Sequence, residues 1–203
     1  VVSFPATVTT RTDVDLNYNI DEFTTDPFRV PNAEEVELSY NKRESILSAS
    51  RSALIEAVHT ELIASWVPAS FNKVMTTGSS AAAHMPSATG NRKKVTLADI
   101  LKLKAEFDKV DIPQTGRCLL LDYVMYNDLL DSLTANQYNS FLASADAQRG
   151  IVGSVYGFDV YMRSKVLRVN AAGSAVTTGT TATDSAAGIA WQQDCVSRAL
   201  GDT

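Results

Sequence analysis

Ile112-Pro113-Gln114-Thr115-Gly116-Arg117-Cys118-Leu119-Leu120-Leu121 sets a turn directly against four consecutive apolar residues. Proline and glycine punctuate its first half. A short unbroken apolar run bounded by such a turn reads as a buried strand. Upstream, Thr96 opens a helix with Asp99 in the capping-box position, an acidic variant of that motif. Leu97, Ile100, Leu101, Lys104 and Phe107 follow in helical register. Downstream, Tyr126, Leu129, Leu130 and Leu133 predict a short helix, and residues 140–148 predict a weaker one. Residues 150–161 then read as one glycine-punctuated strand, since glycine inside a strand marks a bulge, a bend or a close backbone approach. Helices and strands mixed in this way define an α+β chain.

Further toward the N-terminus the periodicity changes. Val14-Asp-Leu-Asn-Tyr-Asn-Ile20 alternates without a break, so Val14, Leu16, Tyr18 and Ile20 share one face of a strand. Val36, Leu38 and Tyr40 do the same on a second strand, opposite Glu35, Glu37 and Ser39. The segment between, Thr24 to Asn32, holds Pro27 and Pro31, which forbid a continuous central strand. The pair predicts a two-stranded arm over 13–40. An isolated hairpin is marginal in water, so such an arm needs an outside surface to lie on. Asn41 and Glu44 then form a capping box. Leu47, Leu54, Val58 and Leu62 recur at helical spacing as far as Trp66, and Pro68 ends the pattern. A helix from 41 to 66 spans about 39 Å, well beyond the usual three turns.

Two segments are low in complexity. Residues 76–94 form a Thr/Gly/Ser/Ala-rich link, and residues 171–188, almost wholly Ala, Gly, Ser and Thr, read as a mobile loop. The whole is otherwise ordinary for a globular protein, with 45% hydrophobic and 20% charged residues over 203 positions. A net charge of −5 argues against a dedicated nucleic-acid binder. No apolar run reaches membrane-spanning length, and the first residues lack the pattern of a secretory signal. Cys118 and Cys195 are too few for a disulfide scaffold and read as two buried, inert thiols.

Chemistry-bearing patterns are scarce. The two histidines are His59, inside the long helix, and His84, in the polar link. Glu56 and His59 make one Glu-x-x-His pair, but the di-iron motif needs a second copy on another helix. Gly153-Ser-Val-Tyr-Gly157 puts its serine one place too early for a nucleophile elbow. Gly150, Gly153 and Gly157 have the wrong spacing for a phosphate-binding fingerprint. The chain therefore reads as a non-enzyme with no catalytic, metal or cofactor site. Arg92-Lys93-Lys94 reads first as a solvated loop. Its functional alternative is contact with a phosphate backbone, which needs charge and no base readout.

The order of these segments resembles the major capsid proteins of tailed phages, the Hong-Kong-type capsid fold shared with encapsulins. The resemblance rests on the arm at 13–40 before a long helix, on Ser39-Tyr-Asn-Lys-Arg43, on Pro113-x-x-Gly-Arg117 leading into a strand, and on Gly157-Phe-Asp-Val-Tyr161. It implies an N-terminal arm over 1–12 and an E-loop hairpin over 13–40. A spine helix with part of a peripheral domain would occupy 41–95. An axial domain with the remaining peripheral elements, incomplete toward the C-terminus, would occupy 96–203. It implies a non-enzymatic coat protein without cofactors, built in the host cytoplasm into the hexamers and pentamers of a virion shell around double-stranded DNA. Val14, Leu16, Tyr18, Ile20, Val36 and Leu38 would then contact a neighbouring subunit, and Arg92, Lys93 and Lys94 the DNA backbone. Portal, scaffold and decoration proteins would be its other partners, and no membrane. Two alternatives stay open: an encapsulin-like shell around a cargo enzyme, and a Thr/Ser-rich binding module that is a soluble monomer.

Overall fold

The computed structural model of the chain describes residues 21–27, 42–67 and 73–197. Its element order is α1 (Lys42–Ser65), β1 (Ser80–Ala82), β2 (Asn91–Lys93), α2 (Leu97–Lys109), β3 (Arg117–Asp122), α3 (Tyr123–Ser132), α4 (Ala135–Ala143), β4 (Gly153–Val155), β5 (Phe158–Arg163), β6 (Leu167–Val169), β7 (Ser185–Ala187), β8 (Ile189–Gln192) and a short 3-10 turn, Gln193–Cys195. The architecture is α+β. Residues 21–27 are irregular and exposed. The proposed arm positions Val14, Leu16, Tyr18, Ile20, Val36 and Leu38 lie outside the described residues, as does the cap at Asn41.

The central sheet runs β4-β5-β3-β8. β3 pairs parallel with β5 and antiparallel with β8, and β4 pairs antiparallel with β5. The apolar run of β3 needs both faces of this sheet, because successive side chains point to opposite sides. Leu119 and Leu121 join Phe158, Val160, Ile100, Met125, Leu129 and Phe141 in the main core, on the face covered by α2, α3 and α4. Leu120 points the other way, toward Ile63, Val166 and Leu167. The end of α1 therefore covers the face that the other helices leave. Leu129, Phe158 and Val160 are fully buried, and each such side chain stabilises the fold by about 1.5–3 kcal/mol.

Local signals explain where the helices begin. Thr96 and Asp99 form the reciprocal capping box that starts α2. Asp122 accepts from the Met125 N–H at 2.7 Å and caps α3. Thr134 and Gln137 make a second capping box that starts α4 at Ala135. The expected helix over 140–148 is thus shifted: it ends at Ala143, and residues 144–151 turn back through an Asp146–Ile151 bridge.

Four further expectations are corrected. Residues 150–161 are not one strand but a hairpin of β4 and β5, turned at Tyr156 and Gly157, both with positive φ (50° and 84°). Two left-handed residues in succession give the turn whose twist matches the strands it joins. The link 76–94 contains the paired strands β1 and β2. In the segment 171–188, β7 pairs with β6, and Asp184 is buried. Ala175, Ala186 and Ala187 pack against the two cores, and hydrogen bonds add order: Arg168 Nε donates to Asp184 Oδ2 at 2.6 Å, and the Thr181 N–H donates to the same carboxylate at 3.0 Å. Those bonds, from Thr181 first and Arg168 next, hold the Asp184 carboxyl below the usual aspartate range. Both thiols are expected to be buried; Cys118 is, but Cys195, on the 3-10 turn after β8, is exposed.

Candidate assembly surface

The 24-residue α1 is continuous, and at 1.5 Å per residue it extends about 36 Å. Among the described residues, its apolar anchorage lies in its C-terminal turns. Ile63 is buried with Val166 and Leu167, flanked by Ala64 and Val67. Trp66 packs on Trp191 with ring centroids 5.3 Å apart. One and two turns further back, polar contacts also tie it to the body. Lys165 Nζ donates to Glu56 at 2.7 Å, and Arg163 reaches His59 Nδ1 at 3.4 Å. The Lys165 ammonium holds the Glu56 carboxyl below its ordinary value. The Glu-x-x-His pair therefore faces two cations of the β5–β6 region and serves as a bracket. Among the described residues no group of three or more His, Cys, Asp or Glu is placed to hold a metal ion.

Nearer its N-terminus, α1 leaves apolar groups in solvent. Leu47 is 41% exposed and Ile55 50% exposed, with Glu44, Ser48, Arg51 and Ser52 exposed around them. Ile46, Leu54 and Val58 are half-buried. A long rod that is held at its C-terminal end and carries exposed Leu47 and Ile55 toward the other presents apolar side chains beyond what its own fold requires. Periodicity alone does not reveal this division, because the helical register of Leu47, Leu54, Val58 and Leu62 treats all four alike.

The basic trio is divided by the strand it lies on. Alternation on β2 sends Arg92 inward while Asn91 and Lys93 face solvent. The Arg92 guanidinium is bidentate on the Asp128 carboxylate of α3, which is itself buried. Lys94 Nζ lies 3.5 Å from the exposed Asp131. Lys93 stays exposed. The three charges do not converge: one ties β2 to α3, one makes a loose surface pair, and one faces water.

Three polar sites have partners that motif reading did not reveal. Arg117 is the most buried cation among the described residues. Its Nε donates to the Pro113 carbonyl at 2.9 Å, its Nη2 donates to the Ile112 carbonyl, and Nη1 faces Asp108 at 2.8 Å. Its guanidinium also lies over the rings of Phe107 and Phe158, 5.4 and 5.9 Å from their centroids. This gives a structural reason for the Ile-Pro-x-x-Gly-Arg pattern: the arginine folds back to bind the carbonyls of its own turn. His84 Nε2 lies 2.7 Å from Asp122 Oδ2, while its Nδ1 is buried without a hydrogen bond. Asp122 is at the same time engaged as the α3 cap, and among the described residues no hydroxyl or thiol is hydrogen-bonded to His84. Asp99 is the third site. Burial pushes its carboxyl up, but hydrogen bonds from Thr77 and Thr96 outweigh that and hold it below its ordinary value.

No described helix is long and apolar enough to cross a membrane. No family model matches the chain, and neither any curated protein nor any solved structure is significantly similar to it.

Proposed function

We propose that the chain is a structural subunit that associates with copies of itself into a closed shell, a coat protein of the tailed-phage type enclosing double-stranded DNA. The observation that carries this reading is the long α1, anchored at one end while Leu47 and Ile55 remain exposed. Large apolar side chains held out on a rigid rod favour burial against another molecule. The sequence adds a second element of the same kind, the alternating strands around Val14–Ile20 and Val36–Leu38, whose apolar face needs a neighbour. Closing such contacts into a shell removes open edges. The order of segments supports the coat-protein form of this reading through its resemblance to that family. Contact with DNA would be non-specific and would fall to Lys93 and Lys94, because Arg92 is already engaged by Asp128.

Deleting residues 14–38 tests the proposal. Circular dichroism should show a folded body, and electron microscopy should show no particles where the full chain forms them. Full-sized shells from the deletion variant would remove the arm from the argument. A full-length chain that stays monomeric across concentration and salt would favour the binding-module reading.

A further inference from the structure

The exposed face of α1 is not only apolar; its charges are arranged to complement themselves. Glu44 and Arg51 are seven residues apart, two helical turns, so they share one face with Leu47 and Ser48 between them. All four side chains are exposed. The midpoint between Glu44 and Arg51 falls level with Leu47 and Ser48, about 5 Å along the axis from each charge. A two-fold axis perpendicular to the helix at that level sets each Glu44 level with the Arg51 of a second, antiparallel α1. Both ion pairs form at once, and Leu47 meets its own copy at the centre. Ser48 is small enough to let the two helices approach. A two-fold contact must be made of one patch that complements itself, and this patch meets that requirement in charge and in apolar content. Glu44 already has an interaction within its own chain, so the contact extends a network rather than filling a vacancy.

From this we infer that the N-terminal turns of α1 form a two-fold contact with a second copy of the chain through Glu44, Leu47, Ser48 and Arg51. The inference rests on the shell reading only in that both name the chain as its own partner. It adds the helix, the symmetry and the pairing.

Cross-linking at the axis tests it. In full-length chain carrying Cys195→Ser, to remove the exposed native thiol, Leu47→Cys should oxidise to a disulfide-linked dimer. Glu61→Cys, exposed on the same helix but remote from the axis, should not. Added to Leu47→Cys, either E44R or R51E should lower the dimer yield roughly tenfold, because symmetry turns two attractions into two repulsions. E44R and R51E together should restore it. Failure of Leu47→Cys to cross-link, or failure of the double charge reversal to rescue, overturns the two-fold contact. Particles without the cross-link would leave the shell reading standing and remove this one. A cross-linked dimer that never grows into particles would do the reverse.

Discussion

Replacing Arg117 with alanine should destabilise the unassembled chain by about 3 kcal/mol. The figure follows from what the guanidinium does. It donates to two main-chain carbonyls, Pro113 and Ile112, and a hydrogen bond from a charged donor contributes about 1.5–3 kcal/mol net. It also lies over two aromatic rings, each contact contributing about 0.5–1 kcal/mol or more. Against this, deletion removes the cost of burying a cation, and water entering the void rehydrates part of the carbonyl surface. The Asp108 pair adds little, because that carboxylate is partly exposed. For a chain of this size, about 3 kcal/mol lowers Tm by roughly 6–12 °C. Urea unfolding followed by circular dichroism measures it directly. Arg117→Met is the discriminating partner. Methionine keeps an apolar stem between Phe107 and Phe158 but offers the carbonyls nothing, so it should recover less than half of the loss. A buried ionic group can sometimes be exchanged for a hydrophobe without cost. If Arg117→Met is as stable as the native chain, packing rather than carbonyl anchoring holds this turn, and the explanation of the Pro-x-x-Gly-Arg pattern is wrong.

The other predictions concern packing, ion pairing and pH. Gly153→Ala should cost about 1–3 kcal/mol in urea unfolding, because an added Cβ would overlap the buried Phe141 ring; a neutral result would mean that α4 shifts freely against β4. Arg92→Ala should destabilise by about 2–4 kcal/mol by leaving Asp128 buried and unpaired, and Arg92→Ala with Asp128→Ala should recover part of that loss in a double-mutant cycle. Stability should be at its plateau above about pH 4 and decline below it. Asp99 and Asp184 are held below the ordinary aspartate range when folded, so the unfolded chain binds more protons as acid is added, and the stabilisation is lost as pH falls through their folded values. Urea midpoints from pH 6 to pH 3 give the slope, and Asp99→Asn should flatten it; an unchanged slope would assign acid sensitivity elsewhere.

What the sequence revealed and what it hid divide along a physical line. The β3 strand, the Thr96–Asp99 cap, α1 from Lys42 to Ser65 and the register of Leu129 were legible because each signal is local: an apolar run, a capping pair, a 3.6-residue period. The link 76–94 and the segment 171–188 were misread because their order is tertiary. Arg92 meets Asp128 and Arg168 meets Asp184 across stretches that no short window contains. The hairpin at Tyr156-Gly157 hid for another reason, since tyrosine seldom adopts the left-handed conformation that the turn imposes on it. The boundary of α4 was legible and was passed over: Thr134-Ala-Asn-Gln137 is a capping box in the sequence itself. In the candidate surface, the apolar character of α1 could be read directly. Which of its residues the body covers could not, because that depends on where Val166 and Leu167 sit.

The pairing of β3 with β8 has a consequence for how the chain is made. Arg117 stands opposite Gln192, and Leu120 opposite Ile189, so the central strand completes its ladder only with residues synthesised much later. During translation, β3 leaves the ribosome with both edges unmatched: its parallel partner β5 comes only after α3, α4 and β4, and β8 later still. Contacts this distant in sequence must bear the entropy of closing long loops before they return any stability. A nascent chain halted before Ile189 would therefore expose the backbone edge of its most apolar strand. Such an edge is prone to pair with other incomplete chains. The yield of folded chain would then be limited by escape from this interval, and holding chaperones that mask β3 would raise it.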